Sequence, residues 1–464
     1  MKHQIQNLAK EPDYQLRVRQ ILGECQMSGG AVTHRNEMAL GLIIETLKTD
    51  GVHQALEVAK QLTELHPNFV DMLARLYAIT KNEYGSSHMG KRIAFIYSKT
   101  KRFQMDSLIE TFRTPPLHTT NWMLKRVGEM VDQTAGVVRA TQLGLLKYKP
   151  VLLLSDTQGL SNSAFLPYLD DVFEIIFEPR EAQAFLAQPL VPKLDTYMMH
   201  FNNDIFGHAS EYEAPLSTLL YQNGLPSHAF DLKDSTISVA QNFLQKFDLK
   251  HDDLFVTLHV REEGYVDHST HIERNADPHL YQNSIDHLIE QGIKVVRIGH
   301  PKMTPLKEQN GFIDLTRIER PDEVDLFLCA RNWFYFGTSS GPFSIAFQFG
   351  RPSLLIDFLP YGIARPNCFH LAKSFCKNQK SEVLSFHQLK EMDLDTVFSS
   401  DVYKKRGLHA IAATQDDIKN AVLDMLEIGP ENVLIRNVMP EKLKNICIVN
   451  DSNVMFSRRL AGIL

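Results

Sequence analysis

Residues 333–358 read WFYFGTSSGPFSIAFQFGRPSLLIDF. An aromatic run ends in Thr-Ser-Ser-Gly-Pro, an apolar stretch of helical length follows, and Gly-Arg-Pro introduces a second apolar run. Short apolar runs joined by a helix spell a β-α-β unit of a parallel sheet. The same alternation extends to the N-terminal side: LFVTLHV at 254–260, helical LYQNSIDHLIEQG at 280–292, IKVVRIG at 293–299, FIDLT at 312–316 and helical PDEVDLFLCAR at 321–331. An earlier block repeats it with RIAFIYS (92–98), PVLLLS (150–155), DVFEIIF (171–177) and DTYMMHF (195–201), and QKFDLKHDD (245–253) links the two blocks. Two open parallel-sheet units in tandem are therefore expected.

The remaining segments frame these blocks. HQALEVAKQLTELHPN (53–68) puts Ala55, Ala59, Leu62 and Leu65 on one helical stripe before a Pro-Asn break, and FVDMLARLYAI (69–79) follows. This is one copy of a tetratricopeptide-like helix pair, where a stable array needs about three. It reads as a helical cap, with recruitment of a protein partner or self-association through the head as the alternative. Near the other end, Thr414 caps a helix over 416–427 that Gly429-Pro430 stops. The expected division is a helical head at 1–88, a Rossmann-like unit at 89–250, a second at 251–400, and closing helices at 401–464.

Composition narrows the class. The 464 residues are 44% hydrophobic and 22% charged, a globular balance. Lys and Arg number 49 against 55 Asp and Glu, so the net charge is −6 and no overall field favours nucleic acid. Five scattered cysteines form no CxxC pair, which argues against a disulfide framework or a zinc knuckle. The charged start MKHQIQNLAK and the lack of any apolar run of about 18 residues predict a cytoplasmic chain, working peripherally at the inner membrane face where its acceptor is lipid-linked.

Two motif leads fall away. GSSHMGKR (85–92) is close to a P-loop, but Arg92 stands where a magnesium-binding Ser or Thr is required. No GxGxxG follows any strand, so a dinucleotide dehydrogenase has no support. What stands out is polarity at successive strand ends: His259, Arg261 and Glu263 after one strand, Arg297 on the next, Thr338, Ser339, Ser340 and Gly341 after the third, and Asp357 on the fourth. In an open α/β sheet these ends share one edge, where ligands bind. A strand-to-helix turn of Ser and Gly can receive an anion on free N–H groups, and Arg261, Arg274 and Arg297 offer forks for phosphate oxygens. His268, His271 and His279 lack a Cys or carboxylate partner at zinc-like spacing, so no metal is expected.

HVREEGY (259–265), ERNAD (273–277), KVVRIG (294–299) and FGTSSGPFSIAFQFGRP (336–352), in that order, resemble a family of bacterial glycosyltransferases of surface-carbohydrate synthesis. The His-x-Arg element is similar, more distantly, to a motif of several fucosyltransferases. The resemblance spans about 90–400 and is strongest over 255–358. It implies a GT-B fold: two Rossmann-like domains facing a cleft, with the all-helical head as an extension. It also implies a nucleotide-diphosphate sugar as co-substrate and no other cofactor. By the same resemblance Arg261 binds the donor diphosphate, Arg274 and Asp277 hold the donor, and Thr338, Ser339, Ser340 and Gly341 cradle phosphate.

The expected reaction is metal-independent transfer of a hexosyl or deoxyhexosyl group to a carbohydrate or lipid-linked acceptor. Arg261 would stabilise the leaving diphosphate. Glu263 and His259 are the nearest candidates for the base, with Glu129, Asp132 and Asp156 on the acceptor side. A nucleotide-sugar epimerase, or an inactive scaffold that recruits partners through its head, are the alternatives.

Overall fold

The computed structural model describes residues 41–47, 51–65, 124–144, 151–154, 160–176, 223–226, 228–250, 252–262, 269–360, 367–377, 383–392 and 400–433, with shorter pieces elsewhere between 69 and 457. The helical stripe of the head is present as α1 (Val52–Leu65). It buries Ala55, Ala59 and Leu62 with Ile93, Ile96 and Tyr97. RIAFIYS, expected as a strand, is helical at its described residues 92, 93 and 95–97. Ile93, Ile96 and Tyr97 stand at i, i+3 and i+4, one helical face, and docking on α1 selects that period over the strand reading.

Four short strands build the first sheet: β1 (Leu117–His118), β2 (Val151–Leu153), β3 (Glu174–Ile176) and β4 (Lys193–Leu194), all parallel in the order β3-β2-β1-β4. The helix α2 (Val127–Gln142) connects β1 to β2 and runs unbroken through Gly136, while α3 (Leu166–Val172) leads into β3. Of DTYMMHF, the described residues 199–201 do not join this sheet. Its end, β5 (Met199–Phe201), pairs antiparallel with β6 (Ile205–Gly207).

The second sheet carries the expected alternation over residues 254–358 and adds strands beyond it. After α4 (Asp234–Leu244) come β7 (Phe255–His259), α5 (Gln282–Glu290), β8 (Lys294–Arg297), β9 (Phe312–Asp314), α6 (Asp322–Arg331), β10 (Tyr335–Thr338), α7 (Gly341–Gln348), β11 (Ser353–Phe358) and β12 (Cys368–Ala372). The strands are buried along nearly their whole length, as continuous apolar runs flanked by helices require. The six are parallel in the order β12-β11-β10-β7-β8-β9. Counted from β7, that is 6-5-4-1-2-3, the doubly wound order. Two antiparallel pairs follow, β13 (Ser374–Lys377) with β14 (Leu408–Ile411), and β15 (Cys447–Val449) with β16 (Met455–Ser457), the latter extending the sheet beyond β12, so the stretch 401–464, expected as closing helices, also carries strands. Between them α8 (Gln415–Ile428) starts at Thr414 with a capping box and stops at Gly429, as its sequence signals require.

Helices from the N-terminal side pack directly on this second unit. α4 lies against α6, and α2 lies against α7. One core therefore holds Leu124, Met130, Phe165 and Tyr168 together with Phe347, Phe349 and Leu355. The rings of Phe165, Tyr168, Phe230 and Phe349 meet at 5.1–5.7 Å. Each such side chain contributes about 1.5–3 kcal/mol of burial. Among the described residues no helix is long and apolar enough to cross a membrane.

Candidate active site at the switch point of the sheet

The doubly wound order reverses between β7 and β10, and the crevice outside the carboxyl ends of those strands is where such sheets bind ligands. His259, Arg261, Thr338, Ser339, Ser340 and Gly341 all stand there. The two strands approach closely. A Cβ on Gly337, whose φ is +143°, would lie 1.9 Å from the His259 carbonyl oxygen, so only glycine fits. The Arg261 amide donates to Thr338 Oγ1 at 2.8 Å, fixing the loop after β7 to the end of β10.

The start of α7 is kept open by an unusual use of its N-cap. Ser340 occupies the cap position but its hydroxyl makes no capping bond to the helix. It lies 2.9 Å from His259 Nδ1 and 3.1 Å from the Tyr335 hydroxyl, which also donates to the Thr338 carbonyl. With the cap drawn aside, amides of the first turn and the positive end of the helix dipole are left to an anion. Burial, then the nearby charges of Arg297 and Arg261, push the His259 imidazole down to about 3. It is neutral at physiological pH, which makes it an anchor for Ser340 and a poor proton acceptor.

A group of guanidiniums surrounds this helix start. Arg274 Nη2 donates to the Ser339 carbonyl at 2.6 Å and lies 3.4 Å from Ser339 Oγ. Burial and the charge of Arg261 push Arg274 down to about 9. Arg261 is lowered by its own burial and by Arg126. Arg126 precedes α2 directly and is exposed; its place before the Val-Gly-Glu helix start is its sole mark in the sequence. Beyond burial, the Arg126 charge lowers Arg261 and the Arg261 charge lowers Arg274, and an anion bound among them would oppose both effects.

The first turn of α2 completes the site. Gly128 and Gly341 pack backbone on backbone: a Cβ on Gly128 would stand 2.9 Å from Gly341 Cα. Two helix N-termini thus converge. Glu129, in the first turn of α2, has its carboxyl raised by burial and by Asp132, while a Gln133 hydrogen bond, Arg126 and Arg274 oppose the rise. It is the carboxylate of the acceptor-side candidates that stands with the arginines.

Other expected site residues fall elsewhere. Arg297 is fully buried and does not open on the crevice. Its Nη2 donates to Glu262 at 2.7 Å, and its Nη1 donates to Asp314 at 3.1 Å and to the Thr304 carbonyl at 2.7 Å. An Arg on a central parallel strand needs such partners, so it ties β8 to β9. The exposed Asp277 accepts the His279 amide at 2.9 Å and caps a 3-10 turn, where the resemblance implied donor contact. Asp132 is no base. Its oxygens take a fork from Arg365 at 2.8 and 3.0 Å, plus Ser344 and Gln348 at 2.9 Å each. Burial alone would raise Asp132; the Arg365 charge and these hydrogen bonds hold it below the usual carboxylate range. Glu263 and Asp156 lie outside the described residues. Among the described residues no three His, Cys, Asp or Glu side chains converge as metal ligands would.

His259 supplies a direct check. His259→Ala should weaken anion binding at this helix start about fivefold by releasing Ser340 to cap α7, a cap worth about 1 kcal/mol. In NMR titrations of the wild type the His259 ring should stay neutral from pH 8 to pH 5. Because the unfolded imidazole binds its proton near 6.5 and the folded one only near 3, this residue's contribution should reduce stability as pH falls through that window.

No family model matches the chain, and no curated protein is similar to it. Several solved structures follow part of its path, three of them as follows. A glycosyl transferase family 9 protein from Veillonella parvula is 14% identical over 70% of this chain and 97% of its own, with a TM-score of 0.39. E. coli heptosyltransferase WaaC with ADP is 12% identical over 68% and 100%, at 0.35. E. coli ADP-heptose lps heptosyltransferase II is 13% identical over 56% and 90%, at 0.30. Likenesses of this size leave the chemistry of the site to its own residues.

Proposed function

We propose that the chain is a GT-B type glycosyltransferase that moves a sugar from a nucleotide-diphosphate donor to a carbohydrate or lipid-linked acceptor, in bacterial surface-polysaccharide synthesis. One observation carries the reading. Arg126, Arg261 and Arg274 gather around an uncapped helix start at the switch point of a doubly wound sheet. A diphosphate matches that site in charge, in its several acceptor oxygens and in the place where such sheets hold phosphate. Residues 251–400 would hold the donor, and residues 89–250 would bring the acceptor.

In this reading the acceptor hydroxyl attacks the anomeric carbon as the bond from that carbon to the phosphate oxygen breaks. The electron pair leaves on the diphosphate, where Arg261, Arg274, Arg126 and the amides of Ser340 and Gly341 stabilise the growing charge. The hydroxyl proton goes to Glu129. A carboxylate raised by burial is a stronger base than an ordinary glutamate. Positive charge supplied by the chain itself does the work that a metal performs elsewhere.

The test is to incubate the full chain with ADP-, UDP-, GDP- and CDP-sugars and to follow nucleoside diphosphate release with and without glycan acceptors. Acceptor-dependent release supports transfer. Free epimerised sugar without acceptor would instead support an epimerase, and binding of no nucleotide would support a partner-recruiting scaffold. Glu129 makes a pH prediction. The acid limb of the rate should lie above the ordinary glutamate value of about 4.5, because the base must be ionised and its carboxyl is raised. That limb should vanish, with the rate reduced about 10²- to 10⁴-fold, in Glu129→Gln.

A further inference from the structure

Arg274 is the last residue of the 3-10 turn 269–274, and a short irregular stretch separates it from the next turn, 278–281. Its guanidinium nevertheless has a defined place against Ser339. The residues on either side of it show why. Lys373, at the carboxyl end of β12, is 4% exposed, and its ammonium donates to the Glu273 carbonyl at 2.7 Å and to the Asn275 carbonyl at 3.2 Å. It thus grips the backbone on both sides of Arg274. Asp357, at the end of the neighbouring strand β11, lies 3.6 Å from that ammonium and also accepts the Ala413 amide at 2.9 Å. Asp357 has a φ of +52°, a left-handed conformation that a non-glycine residue keeps only when its surroundings enforce it.

Two further straps converge on the segment. The Ser400 hydroxyl donates to the Glu273 carboxylate and accepts the Ile272 amide at 3.0 Å, while the Ala276 amide donates to the Arg261 carbonyl at 2.9 Å. The Lys373 ammonium is directed at main-chain carbonyls, with the Asp357 carboxylate beside it. A buried lysine used in this way costs desolvation that a hydrophobic residue would avoid. Its return is a fixed loop.

We propose that Lys373, steadied by Asp357, is a positioning residue that clamps residues 273–275 so that Arg274 is held ready for the donor diphosphate at the start of α7. The inference rests on the donor-site reading above and extends it to residues that no ligand touches. It predicts that Lys373 acts through Arg274 and not independently of it.

Calorimetric titration of the full chain with inorganic pyrophosphate, ADP, UDP and GDP tests this in wild type, Arg274→Ala, Lys373→Met, Lys373→Arg and the Arg274→Ala/Lys373→Met double variant. Arg274→Ala and Lys373→Met should each weaken binding by about tenfold or more, the worth of one charge-assisted hydrogen bond. The double variant should be no weaker than Arg274→Ala alone. Lys373→Arg, which keeps a cation able to reach both carbonyls, should recover most of the affinity. Equal losses from Lys373→Met in both backgrounds, or no loss in either, would overturn the clamp while leaving the donor site standing. If wild type binds none of the probes, the donor-site reading falls and takes the clamp with it. Should Lys373→Met fail to fold by circular dichroism, Lys373→Gln, which keeps a donor group, replaces it in the same cycle.

Discussion

Arg261→Ala is expected to lower the rate of the proposed glycosyl transfer by about 10²- to 10³-fold, the usual effect of removing one preorganised donor from a developing charge. The fold should survive. Arg261 is partly accessible, and the bond that fixes its loop, to Thr338 Oγ1, comes from its backbone amide, which the substitution leaves in place. Lysine should restore part of the loss, since an ammonium brings charge without the two-pronged geometry. Steady-state transfer rates in the presence of EDTA check both variants. Near-normal turnover in Arg261→Ala would remove this residue from the mechanism.

Arg365→Ala should produce the largest loss of stability, about 3–5 kcal/mol, because it strands a buried carboxylate. Asp132 and Arg365 are both nearly inaccessible, and Arg365 also stacks on Phe343 and Phe347 at 5.3 and 4.9 Å. The pair joins α2 to α7, so losing it should loosen the contact of Gly128 with Gly341 and reduce binding as well as stability. The double variant Asp132→Leu/Arg365→Met removes both charges and should recover much of the stability. The acid dependence has a definite sign. Asp132 is lowered in the folded chain, so its contribution is fully present above the ordinary value of about 3.8 and is lost as pH falls through the lower folded value. Denaturant titration of the three proteins at pH 7 and pH 3 reads all of this.

Strands β7 to β11 of the second sheet were legible because each is a short apolar run closed by Gly, Pro or polar residues, and periodicity reports such patterns directly; β12, β15 and β16 of the same sheet were not read from it. The first block was less so. RIAFIYS satisfies the strand and helix periods equally, and only its contact with α1 decides between them. DTYMMHF has strand composition, but composition does not distinguish a parallel sheet from a local hairpin. At the site, strand-end polarity found His259, Arg261, Thr338, Ser339, Ser340 and Gly341, because the edge of a parallel sheet is fixed by topology. The same rule overreached at Arg297, which lies one strand beyond the switch point and turns inward to Glu262 and Asp314. Arg126, Arg365 and Lys373 escaped it because they act from neighbouring elements whose approach depends on packing.

The central claim is that a cluster of arginines at an uncapped helix start binds a nucleoside diphosphate. It is tested most directly by thermal unfolding of the full chain in EDTA with ADP, UDP, GDP and CDP. At least one nucleotide should stabilise the wild type, by about 2.7 kcal/mol when present at 100 times its dissociation constant. That stabilisation should fall sharply in Arg261→Ala and in Arg274→Ala. No stabilisation by any of the four, or full stabilisation in both arginine variants, would contradict the account.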